Sequence, residues 1–327
     1  MIIMAQTENL KKSETNLPRQ LKIAILTDAL FSDAGWGAFA YNAGQGITSK
    51  HGYQINFLDN VSIPNIESTL RNYAKGDYDL IISQGYEWGN PTLKVAKDFP
   101  NTKFLVFTGI VNASNVASIF PKQQEVTYLL GALAAMMSKT HVIGFVGGDE
   151  KYPNLNNIYE GYKQGALDID PGMKVLVTYL GDWDSPLKGK EAAISQINAG
   201  ADFLLHVADT SGQGVIQAAK ERGKYAFGAV SDQNKLAPDT VVTSFILDAD
   251  KAYEQVIPRI QNDNFTGEIY APGLEQKKNS TGEGILYLAP FHSFDNRIPP
   301  NVKIKLNQLA EDIINKKIVV REIYNIS

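Results

Sequence analysis

The stretch LKIAILTDALFSDAGWGAFAYNAGQGITSK, residues 21–50, sets the fold. Its opening run is apolar and β-branched enough to predict a buried strand over 22–27, and 39–50 then carries apolar side chains at helical spacing. Between them lies a short polar and aromatic segment. The same succession recurs along the chain. Strands are predicted at 54–58, 80–83, 103–107, 141–146, 174–179, 203–207, 225–229 and 241–245, with helical segments at 66–75, 91–98, 124–139, 158–168, 188–199 and 215–222 between most of them. Strand, helix, strand, repeated, means parallel sheets wrapped by helices through right-handed crossovers.

The series is too long for one sheet. Its period breaks over 109–120, where Asn112, Ser114 and Asn115 interrupt the apolar pattern, and the first crossing between two lobes is expected there. A second crossing is expected after Phe245, because 249–262 is again helical once the second set of strands is complete. The expected layout is a flexible leader over 1–20, one lobe from 21–115 and about 246–285, and a second lobe from 116–245. A C-terminal strand and helix within 286–327 are expected without a lobe assignment.

The chain has 327 residues, 44% hydrophobic and 20% charged, enough for two ordinary cores. Net charge is −4 with both signs mixed along the sequence, so no electrostatic footprint exists for a nucleic acid or an anionic membrane. Cysteine is absent, which excludes a disulfide framework, a thiolate metal site, a cysteine nucleophile and a lipid-modified cysteine on this chain. No run approaches the ~20 apolar residues that cross a bilayer. Residues 1–20 are polar apart from Ile2, Ile3 and Met4, so no export signal is visible.

In parallel sheets of this kind ligands sit beyond the carboxyl ends of strands, so the residues just after each strand carry the functional information. After the first strand come Asp28, Phe31, Asp33 and Trp36; after the third come Tyr86, Glu87 and Trp88. Two clusters of aromatics and acids at equivalent strand ends point to a flat, hydrogen-bonding ligand held by stacking and by carboxylates. The competing reading makes Trp36 and Trp88 packing residues at helix starts. In the second half, Trp183 follows the strand at 174–179, His206 and Asp209 close the strand at 203–207, and Asp232 follows 225–229. Asp209-Thr-Ser-Gly-Gln-Gly214 has the look of a phosphate loop but lacks the lysine and the glycine spacing of one, and reads as a tight strand-to-helix turn, with polar ligand contact as the functional alternative.

Enzyme signatures are thin. His51, His141, His206 and His292 are far apart and none has a neighbour at metal-ligand spacing. No Gly-x-Ser-x-Gly elbow is present. Neither a catalytic residue nor a cofactor is expected.

Several stretches resemble one family in order and spacing. They are Asn115-Val-Ala-Ser with Gln124-Glu125, the helix ending Leu133-Ala-Ala-Met-Met-Ser-Lys139, Ile143-Gly-Phe-Val-Gly-Gly148, Gly161-Tyr-Lys-Gln-Gly165, Asp184-Ser-Pro-Leu-Lys-Gly-Lys190, Ser231-Asp-Gln-Asn234 and Leu236-Ala-Pro-Asp-Thr-Val-Val-Thr-Ser244. Together, from about 21 to 320, they resemble the basic membrane protein family of extracytoplasmic solute receptors, which includes the purine nucleoside receptors of ABC importers.

The resemblance implies a type I periplasmic-binding fold, two Rossmann-like lobes with multiple crossings that close on a purine base or nucleoside, and an importer permease as partner. Carried over by position, it sets Phe31 or Trp36 as one stacking aromatic and His206 as the other. Glu125 stands near the expected base-reading acid, and Asp232 lies in the motif that faces the sugar. Two departures matter. Asp33-Ala-Gly-Trp36-Gly37 replaces the Asp-Lys-Ser-Phe-Asn of nucleoside receptors, and a lysine expected after Thr243-Ser244 is replaced in the run Phe245-Ile-Leu-Asp248. Both move the chain toward members suited to a free nucleobase or another flat heterocycle. The expectation is a non-catalytic extracytoplasmic receptor; a nucleoside-metabolising enzyme and an intracellular ligand sensor on the same scaffold are the alternatives.

Overall fold

Strand β1, Lys22–Thr27, buries everything after its first residue, which is what a strand covered by helices on both faces requires. It pairs in parallel with β2 (Gln54–Leu58) on one side and β3 (Leu80–Gln84) on the other. The computed structural model describes residues 20–33, 35–274 and 284–323; the expected leader lies outside them apart from Gln20. The sheet continues through β4 (Lys103–Phe107) and β5 (Val116–Ile119) to a two-residue edge strand, β11 (Ile269–Tyr270), all parallel.

The second sheet repeats this plan. Its order is β7 (Lys174–Tyr179), β6 (Val142–Gly147), β8 (Phe203–Val207), β9 (Tyr225–Gly228) and β10 (Val241–Leu247), with β12 (Leu286–Leu288) antiparallel at the edge. Helices cover both sheets: α1 (Trp36–His51), α2 (Ile66–Ala74), α3 (Gly89–Ala96), α4 (Gln123–Met137), α5 (Pro153–Ile169), α6 (Pro186–Asn198) and α7 (Asp209–Glu221). The helical stretch expected over 249–262 is two short helices, α8 (Ala249–Tyr253) and α9 (Ile257–Gln261). Helix α10 (Pro300–Ile314) packs on α4.

In both sheets the first strand lies between the second and the third, so each has a switch point where successive connections leave in opposite directions. Such points open a crevice at the carboxyl ends of the strands, here β1/β3 and β6/β8.

Two expectations need correction. The break over 109–120 is not the crossing: β5 returns beside β4, and the chain leaves the first sheet only after Ile119. The polar residues that mimic a boundary serve a loop instead. The Asn115 amide donates to the carbonyls of Ala96, Phe99 and Thr102, tying that loop to the end of α3. The segment 209–214 is likewise no turn, because α7 begins at Asp209. Its glycines permit close helix packing: a methyl group on Gly214 would meet the Pro186 carbonyl oxygen at 1.9 Å, and one on Gly189 of α6 would meet the Ser211 carbonyl at 1.9 Å.

Among the described elements, three connections pass from one sheet to the other. They lie between β5 and α4, between β10 and α8, and between β11 and β12.

Candidate functional site

The two sets of strand ends face a cleft of about 720 Å³. Its walls come from both sheets, and each wall is built by a strand end feeding a helix.

On the first side, Asp33 organises the entry into α1. Its carboxylate accepts from the backbone N–H groups of Gly35, Gly37 and Ala38 at 2.7, 2.8 and 3.0 Å, so three of the donors that a helix start leaves unpaired are satisfied. This fixes Trp36, whose ring stacks on Phe39 with centroids 5.3 Å apart. Asp28 follows β1 and accepts from the Trp88 indole N–H at 3.4 Å. Burial and the neighbouring Glu87 push its carboxyl up to about 6. At the end of β3, Gly85 adopts φ +139 to swing the chain over, which presents Tyr86 and Glu87.

On the second side, Tyr152 and Trp183 meet edge to face at 5.4 Å. The Tyr152 hydroxyl donates to Glu87 across the cleft. His206 is 1% exposed. Gln233 Oε1 already accepts from the Ala229 N–H at 3.1 Å, so the His206 Nε2 that contacts the same oxygen at 2.8 Å is the donor. Burial pushes the imidazole down to about 4, leaving it neutral, and Nδ1 has no partner. Asp209 reaches over to the other lobe, where the Trp36 N–H donates to its Oδ1 at 3.0 Å, and the Thr210 hydroxyl donates to the Asp33 carbonyl at 3.3 Å. Burial, then the proximity of Asp33, pushes Asp209 up to about 7.

A third acid cluster stands where β10 leads into α8. Asp248 caps that helix through the Lys251 N–H and pairs with the Lys251 ammonium at 2.9 Å. Burial and the adjacent Asp250 carboxyl nevertheless push it up to about 6. Asp232 lies at the end of β9 and pairs with His292 Nε2 at 2.7 Å.

Of the residues singled out in the sequence, Asp33, Trp36, Tyr86, Glu87, Trp183, His206, Asp209, Asp232 and Asp248 stand in the cleft wall. Three do not. Phe31 turns to Tyr41 and Phe57, at 5.3 and 5.8 Å, on the far side of the loop. Trp88 is fully buried among Leu26, Ile81 and Val106 and reaches the site only through its indole N–H on Asp28. Glu125 is spent on the backbone: its carboxylate accepts from the Leu274 N–H at 2.7 Å, beside two of the crossings. The helix position that lines the cleft is Gln123, two residues earlier and so on another face of the helix, which is 3% exposed with its Oε1 unpartnered.

Sequence reasoning also passed over Tyr152, Asp250 and Tyr287. Tyr152 follows the end of β6 and was open to the same strand-end logic. Asp250 follows β10, which runs two residues past the expected end, and Tyr287 lies within the edge strand β12. Among the described residues lining the cleft there is no lysine and no arginine, and no group of three acids or histidines could hold a metal ion.

Comparison with known proteins gives a consistent result. Residues 20–292 match the profile of the Bmp family, described as ABC transporter substrate-binding protein PnrA-like. A purine-binding protein of Brucella abortus is 28% identical over 90% of this chain and 79% of its own length. The transcriptional activator protein med of Bacillus subtilis is 27% identical over 75% of this chain and 77% of its own. Among solved structures, a solute-binding protein of an ABC transporter system from Aeropyrum pernix superposes with a TM-score of 0.81 at 23% identity, covering 92% of this chain and 94% of that one. A transcriptional activator of comK from Bacillus halodurans gives 0.77 at 23% identity, covering 92% and 100%.

Proposed function

This chain belongs to the Bmp family of PnrA-like ABC transporter substrate-binding proteins, and from that premise we propose that its cleft takes a purine nucleobase or nucleoside outside the cytoplasmic membrane and hands it to an importer permease. One observation carries this reading: a cleft at two facing switch points, walled by aromatic rings and by hydrogen-bond acceptors from both lobes. Trp36, Tyr86 and Trp183 supply flat apolar surface for a ring. The surrounding carboxylates accept the ring and exocyclic N–H groups of a purine and meet a phosphate with repulsion. The name of the Brucella relative points the same way.

The reading is one of binding without turnover. It is tested by mass spectrometry of ligand retained on the purified protein, followed by calorimetry with adenine, guanine, hypoxanthine and their nucleosides. Retention of a purine, with the same purine recovered intact after incubation, is the expected result. A sugar or amino acid in the cleft would sink the ligand assignment, and a product peak would sink the receptor assignment.

A second reading has a specific observation behind it, the similarity to transcriptional activators of two Bacillus species. On that reading the same ligand-closed lobes serve as an intracellular sensor. Fractionation of the producing cell separates the two, since the receptor is found outside the cytoplasmic membrane and the sensor inside.

A further inference from the structure

We infer that Gln233 reads the ligand with a hydrogen-bond donor of fixed direction, and that His206 holds it in that direction: the occupant of the cleft presents an acceptor, an unprotonated ring nitrogen or a carbonyl oxygen, to the N–H2 group of the Gln233 amide. This rests on the proposed purine reading and names the kind of edge the receptor selects.

An amide side chain has a donor end and an acceptor end of nearly the same shape, so its partners settle which way it points. Gln233 lines the cleft just after β9. The Ala229 backbone N–H can only donate, and it meets the Gln233 oxygen at 3.1 Å; His206 Nε2 meets the same oxygen at 2.8 Å. Both lone pairs of that oxygen are thereby used. The stem is held as well. Gln233 donates its backbone N–H to Ser244 Oγ at 3.1 Å, and its side chain folds onto Gly228, where a methyl group would stand 2.9 Å from both its Cβ and its oxygen. Turning the amide over would set its N–H2 group against two donors and leave all of them unpaired. In the observed orientation the N–H2 end has no partner among the described residues and is open to solvent, in a half-buried side chain of the cleft wall. It is the end left for the ligand.

His206 is the positioning residue. At 1% exposure it offers the ligand little ring face, and its Nδ1 lies against Gly212 of α7, where a methyl group would come within 1.9 Å. Nδ1 has no partner and burial keeps the ring neutral, so the single ring proton stays on Nε2, where the Gln233 oxygen accepts it. Asn42, Asn60 and Asn154 also line the cleft, and no hydrogen bond among the described residues fixes their amides. Those amides turn to suit a donor or an acceptor and so discriminate little. Gln233 does not turn, and a ligand that brings N–H or C–H to it leaves a donor unpaired inside a closed cleft.

The test is calorimetry at pH 8 with adenine and guanine, free and as nucleosides, against analogues that each lack one acceptor: the 1-, 3- and 7-deaza forms of adenine, the 3- and 7-deaza forms of guanine, and 2-aminopurine, which lacks the guanine carbonyl. For the purine that binds, one deletion is expected to cost about fivefold or more in affinity. Gln233→Glu keeps an oxygen for Ala229 and His206 and turns the donor into an acceptor, so it should weaken the parent purine by a like factor and bring parent and analogue within about twofold of each other. His206→Phe should shrink the same ratio with Gln233 intact, which a purely structural role would not do. A purine that binds with every deletion tolerated, or with a penalty that survives Gln233→Glu unchanged, overturns the inference and leaves the purine reading standing. A ratio unchanged in His206→Phe overturns the part given to His206; should that variant not fold, Gln233→Glu alone decides. No binding by either purine, free or as nucleoside, overturns both readings.

Discussion

Asp209, at the start of a helix in one lobe, accepts a hydrogen bond from the backbone N–H of Trp36, in the first turn of a helix in the other, at 3.0 Å. The residue between them, Gly35, leaves no room: a methyl group there would sit 1.4 Å from Asp209 Oδ1. Gly35→Ala is therefore expected to hold the lobes apart; the backbone there, at φ −132 and ψ −123, is also one that alanine disfavours, so part of the cost falls on the loop itself. Ligand affinity should drop at least tenfold, with a smaller loss in the melting temperature of the free protein. Calorimetry and small-angle scattering check this; a variant that binds normally would mean the lobes close without that contact.

The three raised acids give the free protein a definite response to pH. Asp28 and Asp248 at about 6 and Asp209 at about 7 all lie above the ordinary 3.8, so between pH 4 and 7 the folded state holds more protons than the unfolded chain. Their contribution to stability therefore falls as pH rises through that window. The groups facing them are Glu87 beside Asp28, Asp33 and Asp184 beside Asp209, and Asp250 and Lys251 beside Asp248. Asp28→Asn and Asp209→Asn should each raise the melting temperature at pH 8 by about a few degrees and flatten its pH profile. A loss of stability at pH 8 in both would show that the charged forms are favoured.

The two tryptophans nearest β1 and β3 should behave differently. Trp36→Ala removes a ring of the cleft wall and is expected to weaken ligand binding by about tenfold or more, the loss of one stacking platform. Trp88→Ala empties a fully buried site and should cost about 3–5 kcal/mol of stability. Urea titration and calorimetry on both variants separate the roles; equal effects on affinity without loss of stability would contradict the placement of Trp88.

Glu125→Gln tests a residue that holds backbone rather than ligand. Its contact with the Leu274 N–H ties α4 to the segment between β11 and β12, so the substitution should cost about 1 kcal/mol or a little more in stability. The rank order of ligands should be unchanged. A shift in preference among purines would return Glu125 to the site.

Phosphorylated ligands give the sharpest control on selectivity. With no lysine or arginine among the described residues of the wall, nucleoside monophosphates should raise the melting temperature much less than the corresponding nucleosides at equal concentration. A monophosphate that outperforms every nucleoside would overturn the ligand class.

Much of the fold was legible because most strands are buried on both faces and write themselves as apolar runs. Lys22–Thr27, Lys103–Phe107 and Phe203–Val207 have the bounds the sequence suggests, and so do the more exposed edge strands Gln54–Leu58 and Lys174–Tyr179, whose β-branched and aromatic residues carry the signal. Val116–Ile119 and Ile269–Tyr270 were missed since a strand of four residues or two carries no period, and Asn115 looked like a linker residue while its amide was closing a loop. The start of α7 was hidden by glycines that read as a turn and serve helix packing. Strand ends located the cleft well, but a strand end does not say which way its next side chain turns. That is why Trp36 and Tyr86 face the cleft while Phe31 turns away to Tyr41 and Phe57 and Trp88 faces the interior. For Glu125 the correct helix end was known and the wrong face of it was chosen.

The contacts that bridge the cleft, Tyr152 to Glu87 and Asp209 to Trp36, engage protein with protein rather than protein with cargo. In mechanical terms they act as fasteners on a jaw. How long the cargo stays is then governed by the rate at which the jaw opens, whatever the grip inside. A permease that takes hold of both lobes and turns them apart breaks these bonds together, so the work of unloading is done on the receptor's own hinge and the cargo leaves as a by-product of that motion.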